Sequence, residues 1–140
     1  MVQADLGAVA AIEREALSSW SARSLAEELQ VSQANQGVAE SAEKEILGWY
    51  ACREVWSEAE LLKITVKKAN RERGVGRFLL GHLFLELQKR KITCLFLEVR
   101  SGNRTAIRFY EKNGFLQVGI RPGYYTDPPD SALILKKNLS

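Results

Sequence analysis

The sequence predicts one α/β domain in which a mixed sheet carries packed helices, and three observations predict it. The 140 residues, 46% hydrophobic and 26% charged, suffice for a single core. No repeat, low-complexity tract or Pro/Gly-rich linker divides them, and the one proline cluster, "YYTDPPDS", lies near the end. Helical and strand-like patterns follow one another in the order helices, a meander of strands, then strand, helix, strand, helix, strand, strand.

Taken in order, "DLGAVAAIEREALS" places apolar residues at 6, 9, 12, 16 and 17, close to helical spacing, with Asp5 able to cap its start. "SARSLAEELQ" reads as a second short helix capped by Ser21. Strands are expected around 35 to 40, at 46 to 55 ("ILGWYACREV") and at 59 to 68 ("AELLKITVKK"). From Gly74 to about Lys91 a helix is expected, because Val75, Leu79, Leu83 and Leu87 recur every fourth residue. "ITCLFLEV" at 92 to 99 is mostly apolar and of strand length, as a strand covered on both faces should be. A helix over 103 to 113 should stop at Gly114, a residue suited to a left-handed cap. "FLQVGIRP" and "SALILKKNL" close the chain as two strands, joined by a loop, "RPGYYTDPPDS".

Several classes of protein are disfavoured at this stage. No apolar run approaches the roughly 18 residues of a bilayer span, and "MVQADLGAVAAIERE" has acids where a secretion signal carries bases, so the cytoplasm is expected. Cys52 and Cys94 lie inside apolar runs, which suits reduced, buried thiols rather than a disulfide framework or a metal site, and no metal is expected. His82, the single histidine, falls near the apolar face of the long helix and reads as a packing residue. The net charge of +3 hides an asymmetry: residues 1 to 60 hold eleven acids against four bases, whereas 67 to 108 hold eleven bases against three acids. The middle of the chain therefore suits an anionic ligand, and the first part a cationic one.

"NRERGVGRFLL" concentrates that positive charge at the start of the long helix. A Walker phosphate loop would need a Lys-Ser/Thr pair that is missing here, and a dinucleotide fingerprint would need a glycine where Leu79 stands. What remains is Arg71-x-x-Gly74-x-Gly76 between a strand and a helix. It is either a tight turn or a cradle in which free N–H groups meet a diphosphate, helped by Arg71, Arg73 and Arg77.

Together with "LEVRSGNRTAIRFYEKNGF", "SSWSARSLAEEL" and "RPGYY", this stretch resembles the GNAT superfamily of acetyl-coenzyme A dependent N-acetyltransferases, and more narrowly the bacterial ribosomal-protein alanine N-acetyltransferases. The resemblance covers most of the chain. It implies the GNAT fold: a mixed, mostly antiparallel sheet of about six to seven strands with helices on both faces. Because only "MVQA" precedes the first helical pattern, the opening strand is expected to be short or missing.

The resemblance also implies roles. Main-chain groups of Ile64, Thr65 and Val66, at the end of a strand splayed from its neighbour, would hold the pantetheine arm, with the Val66 N–H on the thioester oxygen. Arg71, Glu72, Arg73, Gly74, Val75, Gly76 and Arg77 would surround the diphosphate, and Asn103 would bond the pantetheine region. Tyr110, seven residues and two helical turns from Asn103, would protonate the departing thiolate. Glu98, an acid inside an apolar strand, requires a reason to be there. Either it pairs with Arg100 or Arg108, or, as the resemblance implies, it takes the proton of the incoming amine. Tyr124 and Tyr125 would wall the acceptor site, and Glu13 or Glu60 could attract a basic substrate.

The leading expectation is thus transfer of acetyl from acetyl-CoA to a protein N-terminus, the N-terminal alanine of a basic ribosomal protein, by a monomer without nucleic acid or membrane as partner. Acetylation of small amines or lysine side chains, and a non-catalytic acyl-CoA binding module, are the competing readings. Calorimetric titration with acetyl-CoA followed by peptide turnover separates them.

Overall fold

The computed structural model describes residues 1–16, 20–31 and 34–140. Two helices, α1 (Leu6–Glu13) and α2 (Ala22–Glu28), precede three antiparallel strands, β1 (Ala34–Glu40), β2 (Ile46–Val55) and β3 (Glu58–Val66). The long helix α3 (Val75–Lys89), strand β4 (Cys94–Arg100), helix α4 (Arg104–Lys112) and the strands β5 (Leu116–Thr126) and β6 (Pro129–Asn138) complete the chain. The strands form one six-stranded sheet in the order β1-β2-β3-β4-β6-β5. All neighbours are antiparallel except β3 and β4. The expected mixed sheet, its strand number and the helices on both faces are therefore observed.

The two faces carry separate cores because strand side chains alternate. On β2, Trp49 and Ala51 face Val9 and Ile12 of α1 and Leu25 of α2. Tyr50 and Cys52 point the other way, where Leu79, Leu80, Leu83 and Leu87 of α3 meet Leu95 and Leu97 of β4, Phe115 and Leu135. These four leucines are at most 1% exposed, and burying each contributes about 1.5–3 kcal/mol, so Leu79, Leu83 and Leu87 of the stripe read from the sequence, joined by Leu80, anchor α3, with Val75 half-buried beside them. Burial, with Glu54 and Glu60 adding their negative charge, pushes the Cys52 thiol up to about 12, so it remains protonated and inert.

Five sequence expectations need correction. The first helix ends at Glu13 rather than running on to residue 18, because the Glu13 side chain is fully buried and bonds to the sheet. Residues 17 and 18 of the expected span lie outside the described residues. Asp5 does not cap α1; its carboxylate accepts from Val2 N at 2.8 Å and closes a 3-10 turn over Gln3–Asp5, which occupies the place of an opening strand. Ser21, by contrast, caps α2 by accepting from Ser24 N at 3.1 Å. The segment after Val66 is a 3-10 turn, Lys68–Asn70, not more strand. Finally, the proline-rich stretch is not an open loop: β5 continues to Thr126 and β6 begins at Pro129, with Tyr125 paired to Asp130. Proline is tolerated as the first residue of a strand, where no ladder hydrogen bond is lost, so a hairpin forms where composition suggests a loop. His82 is exposed rather than packed, and its Nδ1 lies 3.2 Å from the Tyr50 hydroxyl.

Candidate active site

The sheet is open at its centre. Strands β3 and β4 are in register only over Glu58–Cys94, Ala59–Leu95 and Glu60–Phe96, and beyond these pairs they diverge. On the other side of β3, Lys67 N donates to Leu47 O at 2.7 Å, and Thr65 opposes Trp49. Hydrogen-bonded and non-bonded pairs alternate along an antiparallel ladder, so the N–H groups of Ile64 and Val66 point away from β2 and into the opening. Their side chains pack on the core under α3, while the Thr65 side chain faces α1.

A strand end without a neighbour needs other supports, and the end of α1 supplies them. Glu13 accepts from Thr65 Oγ1 at 2.7 Å, Trp49 Nε1 at 2.9 Å and Trp20 N at 2.9 Å, and pairs with Lys63 Nζ at 3.4 Å. Glu15 accepts from Lys68 N at 3.0 Å. Arg71, expected at a diphosphate, turns back instead: its Nε donates to Val66 O at 3.1 Å and its Nη2 to Glu15 O at 3.4 Å. The carbonyl of Val66 is thereby occupied, and its N–H is left facing the opening.

The glycine turn follows at once. Gly74 is left-handed, with φ of 84°, and serves as the N-cap of α3 without any side-chain cap; Glu72 is also left-handed, with φ of 62°. The N–H groups of Val75, Gly76 and Arg77 have no acceptor among the described residues, and the positive end of the α3 dipole adds to them. Arg73 and Arg77 are exposed beside them, and Val75 is half-buried against the core. The two glycines serve different needs. A Cβ on Gly74 would meet nothing within 4 Å, so backbone conformation alone demands glycine there. A Cβ on Gly76 would stand 2.9 Å from the Phe109 ring, so here close packing of α3 against α4 demands it. Gly74→Ala is accordingly expected to cost about 1 kcal/mol and Gly74→Asn less, since asparagine tolerates the left-handed region. Urea unfolding of both variants checks this order.

Glu98 lies on β4 two residues past the last β3 pair, between Leu97 and Val99, which enter the α3 core. Its carboxylate therefore emerges on the opposite face, the side of α1 and α2, where it is 23% exposed in a concavity. Its partner is neither Arg100 nor Arg108 but Arg121 of β5, at 3.4 Å. Arg100 instead donates to the carbonyls of Pro128 and Asp127 at 2.8 and 3.3 Å and stacks 4.0 Å over Tyr125.

Tyr110 sits on α4, on the other face of the sheet. Its ring packs against Phe109 and Phe115 at 5.4 and 5.5 Å, and burial pushes its phenol up to about 12. The hydroxyl has no hydrogen-bond partner among the described residues. Asn103 is not on the helix face with it but is the N-cap of α4, its Oδ1 accepting from Ala106 N at 3.2 Å. The turn before it is tied down by Asp130, which accepts from Ser101 Oγ at 2.5 Å, Gly102 N at 3.1 Å and Ser131 N at 2.8 Å. Those bonds, led by the Ser101 hydroxyl, hold the Asp130 carboxyl below its usual value.

Tyr124 and Tyr125 lie on strand β5, not in a loop, with their rings 5.1 Å apart at 85°. Tyr124 is 50% exposed and has the Arg121 guanidinium 5.4 Å over it. The structure thus groups Glu98, Arg121 and Tyr124 on one side of the opening, and Tyr110 and α4 on the other. Glu60 is exposed and lines the concavity with Glu98, but Glu13 cannot meet a substrate, being 0% exposed. Sequence reasoning missed Arg121, Asp130 and the bracing role of Glu13. Of these, Asp130 depends on the small residues Ser101 and Gly102, which let its carboxylate approach the turn. Among the described residues no cluster of His, Cys, Asp and Glu could hold a metal, and no helix is long and apolar enough to cross a membrane.

A mixed sheet opened beyond its one parallel pair, with an uncapped helix start beside the opening, defines the architecture of an acyl-CoA dependent acetyltransferase. The chain belongs to the Acetyltransferase (GNAT) family, whose profile matches residues 8–115. It is 43% identical over 88 residues, 61% of this chain, to the ribosomal protein bS18-alanine N-acetyltransferase of Escherichia coli K12. That match spans 60% of the relative's length. The crystal structure of the ribosomal-protein-S18-alanine N-acetyltransferase from Escherichia coli superposes with a TM-score of 0.90 at 34% identity, covering 100% of this chain and 91% of that one. Nourseothricin acetyltransferase, at 24% identity and a TM-score of 0.71 over 78% of this chain and 67% of that one, shares the fold alone.

Proposed function

We propose that this protein transfers the acetyl group of acetyl-coenzyme A to the α-amino group of a protein N-terminus, with the N-terminal alanine of ribosomal protein bS18 as its acceptor. The observation that carries the reading is the placement of Glu98 and Tyr110 on opposite faces of one opening in the sheet. A nucleophile entering from one side and a thioester entering from the other meet between them. The bS18-alanine acetyltransferase similarity supplies the acceptor.

In this reading the diphosphate of the donor sits on the N–H groups of Val75, Gly76 and Arg77 with Arg73 and Arg77 beside it, where donors and charge are already in place. Glu72 and Gly74 shape the turn, and Arg71 braces it. The pantetheine amides bond the free main-chain groups of Ile64 and the Nδ2 of Asn103, with Thr65 anchoring the strand beside them and the Val66 N–H kept for the thioester. Glu98 removes a proton from the acceptor ammonium, whose pKa of about 7.7–8.0 makes this step undemanding near neutral pH. The amine attacks the thioester carbon, and the Val66 N–H stabilises the oxygen as its charge grows. The C–S bond then breaks, with the Tyr110 hydroxyl donating to the sulfur. Tyr124 and Tyr125 wall the acceptor side.

Glu98→Gln is expected to lower kcat/KM for an alanine-starting peptide by about 10²–10⁴-fold while leaving the calorimetric affinity for acetyl-CoA unchanged. Undiminished turnover by the variant would remove the role. Assaying the wild-type protein with small amines and with a lysine-containing peptide blocked at its N-terminus tests the acceptor class. Equal or faster turnover of either would overturn the N-terminal assignment.

A further inference from the structure

The concavity beside Glu98, about 340 Å³, extends well past the carboxylate. It runs along the face of the sheet over Phe96 and Glu60 to Glu58 and Val55, ending at the β2–β3 turn. Of its charged groups, Arg121 is paired with Glu98, and Arg53 with the buried Glu28 at 2.7 Å. Glu58 and Glu60 are exposed and form no ion pair among the described residues, so the far end of the trough is negative and uncompensated.

The turn that closes this end is unusual. Trp56 stands there 95% exposed, with φ of 62°, in a hairpin position that favours glycine. A bulky side chain in the left-handed region costs conformational energy, and its exposure returns no burial to offset it. Trp56 stands two residues from Glu58 at this end of the trough, where carboxylates offer ion pairing and an exposed indole offers its ring face to a cation.

Spacing sets what can reach it. Glu60 lies opposite Phe96, two residues back along β4 from Glu98, roughly 6–7 Å along the strand and about 5 Å across. An extended polypeptide whose amine is at Glu98 would bring its second to fourth side chains over Glu60 and Glu58. We propose that this trough binds the acceptor polypeptide just beyond its first residue, and that Glu58, Glu60 and Trp56 select a cationic side chain there. The proposal rests on the N-terminal acceptor described above, and deepens it by assigning the residues that read the following sequence.

The test compares two alanine-starting peptides, one with arginine at positions two to four and one with glutamine at those positions, on the wild-type protein, on Glu58→Gln/Glu60→Gln and on Trp56→Asn. The wild type is expected to favour the arginine peptide by about tenfold in kcat/KM at low salt, the size expected of two exposed ion pairs, and less as salt rises. In the double variant that preference should disappear through a higher KM, with the glutamine peptide turned over as before; Trp56→Asn should lose part of it. All three positions are exposed, so unchanged thermal unfolding of the double variant is expected to accompany the loss. A preference retained by the double variant, or equal losses on both peptides, would overturn the proposal and leave the acceptor class standing. Turnover of neither peptide by the wild type would overturn the acceptor class and the proposal with it.

Discussion

Tyr110→Phe is expected to lower kcat by about 10²-fold at every pH between 7 and 10, with little change in KM for acetyl-CoA. The ring of Tyr110 is held by Phe109 and Phe115, so phenylalanine fits the same space and only the hydroxyl is lost. The flat profile follows from the phenol being pushed up to about 12 by burial. A raised phenol pKa keeps the proton-bearing form present below that value and loses it only as pH rises through it. The wild-type enzyme should therefore show no fall in kcat near pH 10, where an exposed tyrosine would titrate. Such an acid is weak against a thiolate of ordinary pKa, about 8.5. Two features reduce the mismatch: the departing sulfur shares the desolvated site, which raises its proton affinity too, and a hydrogen bond to the developing charge suffices. A decline of kcat centred near pH 10, or full activity in the variant, would contradict this assignment.

Glu13→Ala is expected to destabilise the fold by about 3–5 kcal/mol in urea unfolding, the range for removing one partner of a buried charged network. Four groups lose their acceptor at once: the Trp49 indole, the Thr65 hydroxyl, the Trp20 amide and the Lys63 ammonium. Lys63 is only 14% exposed on its side chain, so its charge has limited access to water. Glu13→Gln, which retains an acceptor oxygen, should cost less, about 1–3 kcal/mol. The effect reaches the site, because Lys63 and Thr65 belong to the half of β3 that β4 does not support. A loss below about 1 kcal/mol in the alanine variant would show that the strand end is held by something other than this carboxylate.

The parts of the fold governed by local chemistry were legible in the sequence. The apolar repeat Val75, Leu79, Leu83, Leu87 located α3, Ser21 marked the start of α2, and Gly114, left-handed with φ of 95°, marked the end of α4. What escaped depends on contacts between distant segments. Glu13 looks like one more acid on a helix surface, and its burial becomes visible only when Trp49 and Thr65, 36 and 52 residues away, are brought over it. The partner of Glu98 was misassigned for the same reason, since Arg121 lies two strands away and reaches it across β6. The β5–β6 hairpin was hidden by composition: three prolines and a glycine signal a loop, yet Pro122 falls at a register irregularity within β5, Pro128 in the turn and Pro129 at the first position of β6.

The site divides in the same way. Gly74 and Gly76 stood out as a pair in the sequence, but the packing reason for Gly76 is the Phe109 ring, a neighbour that spacing along the chain could not reveal. Arg71 was read as a charge for the ligand, and the structure adds bonds to Val66 and Glu15 that spacing along the chain could not reveal.

The central claim is that a donor thioester enters the opening between β3 and β4 from the α4 side while the acceptor amine enters from the face of Glu98. A crystal structure of the protein with acetyl-coenzyme A tests it most directly. The diphosphate is predicted on the N–H groups of residues 75–77, the thioester oxygen on Val66 N, and the sulfur within about 3.5 Å of the Tyr110 hydroxyl. A cofactor bound away from this opening, or a sulfur out of reach of that hydroxyl, would contradict the account.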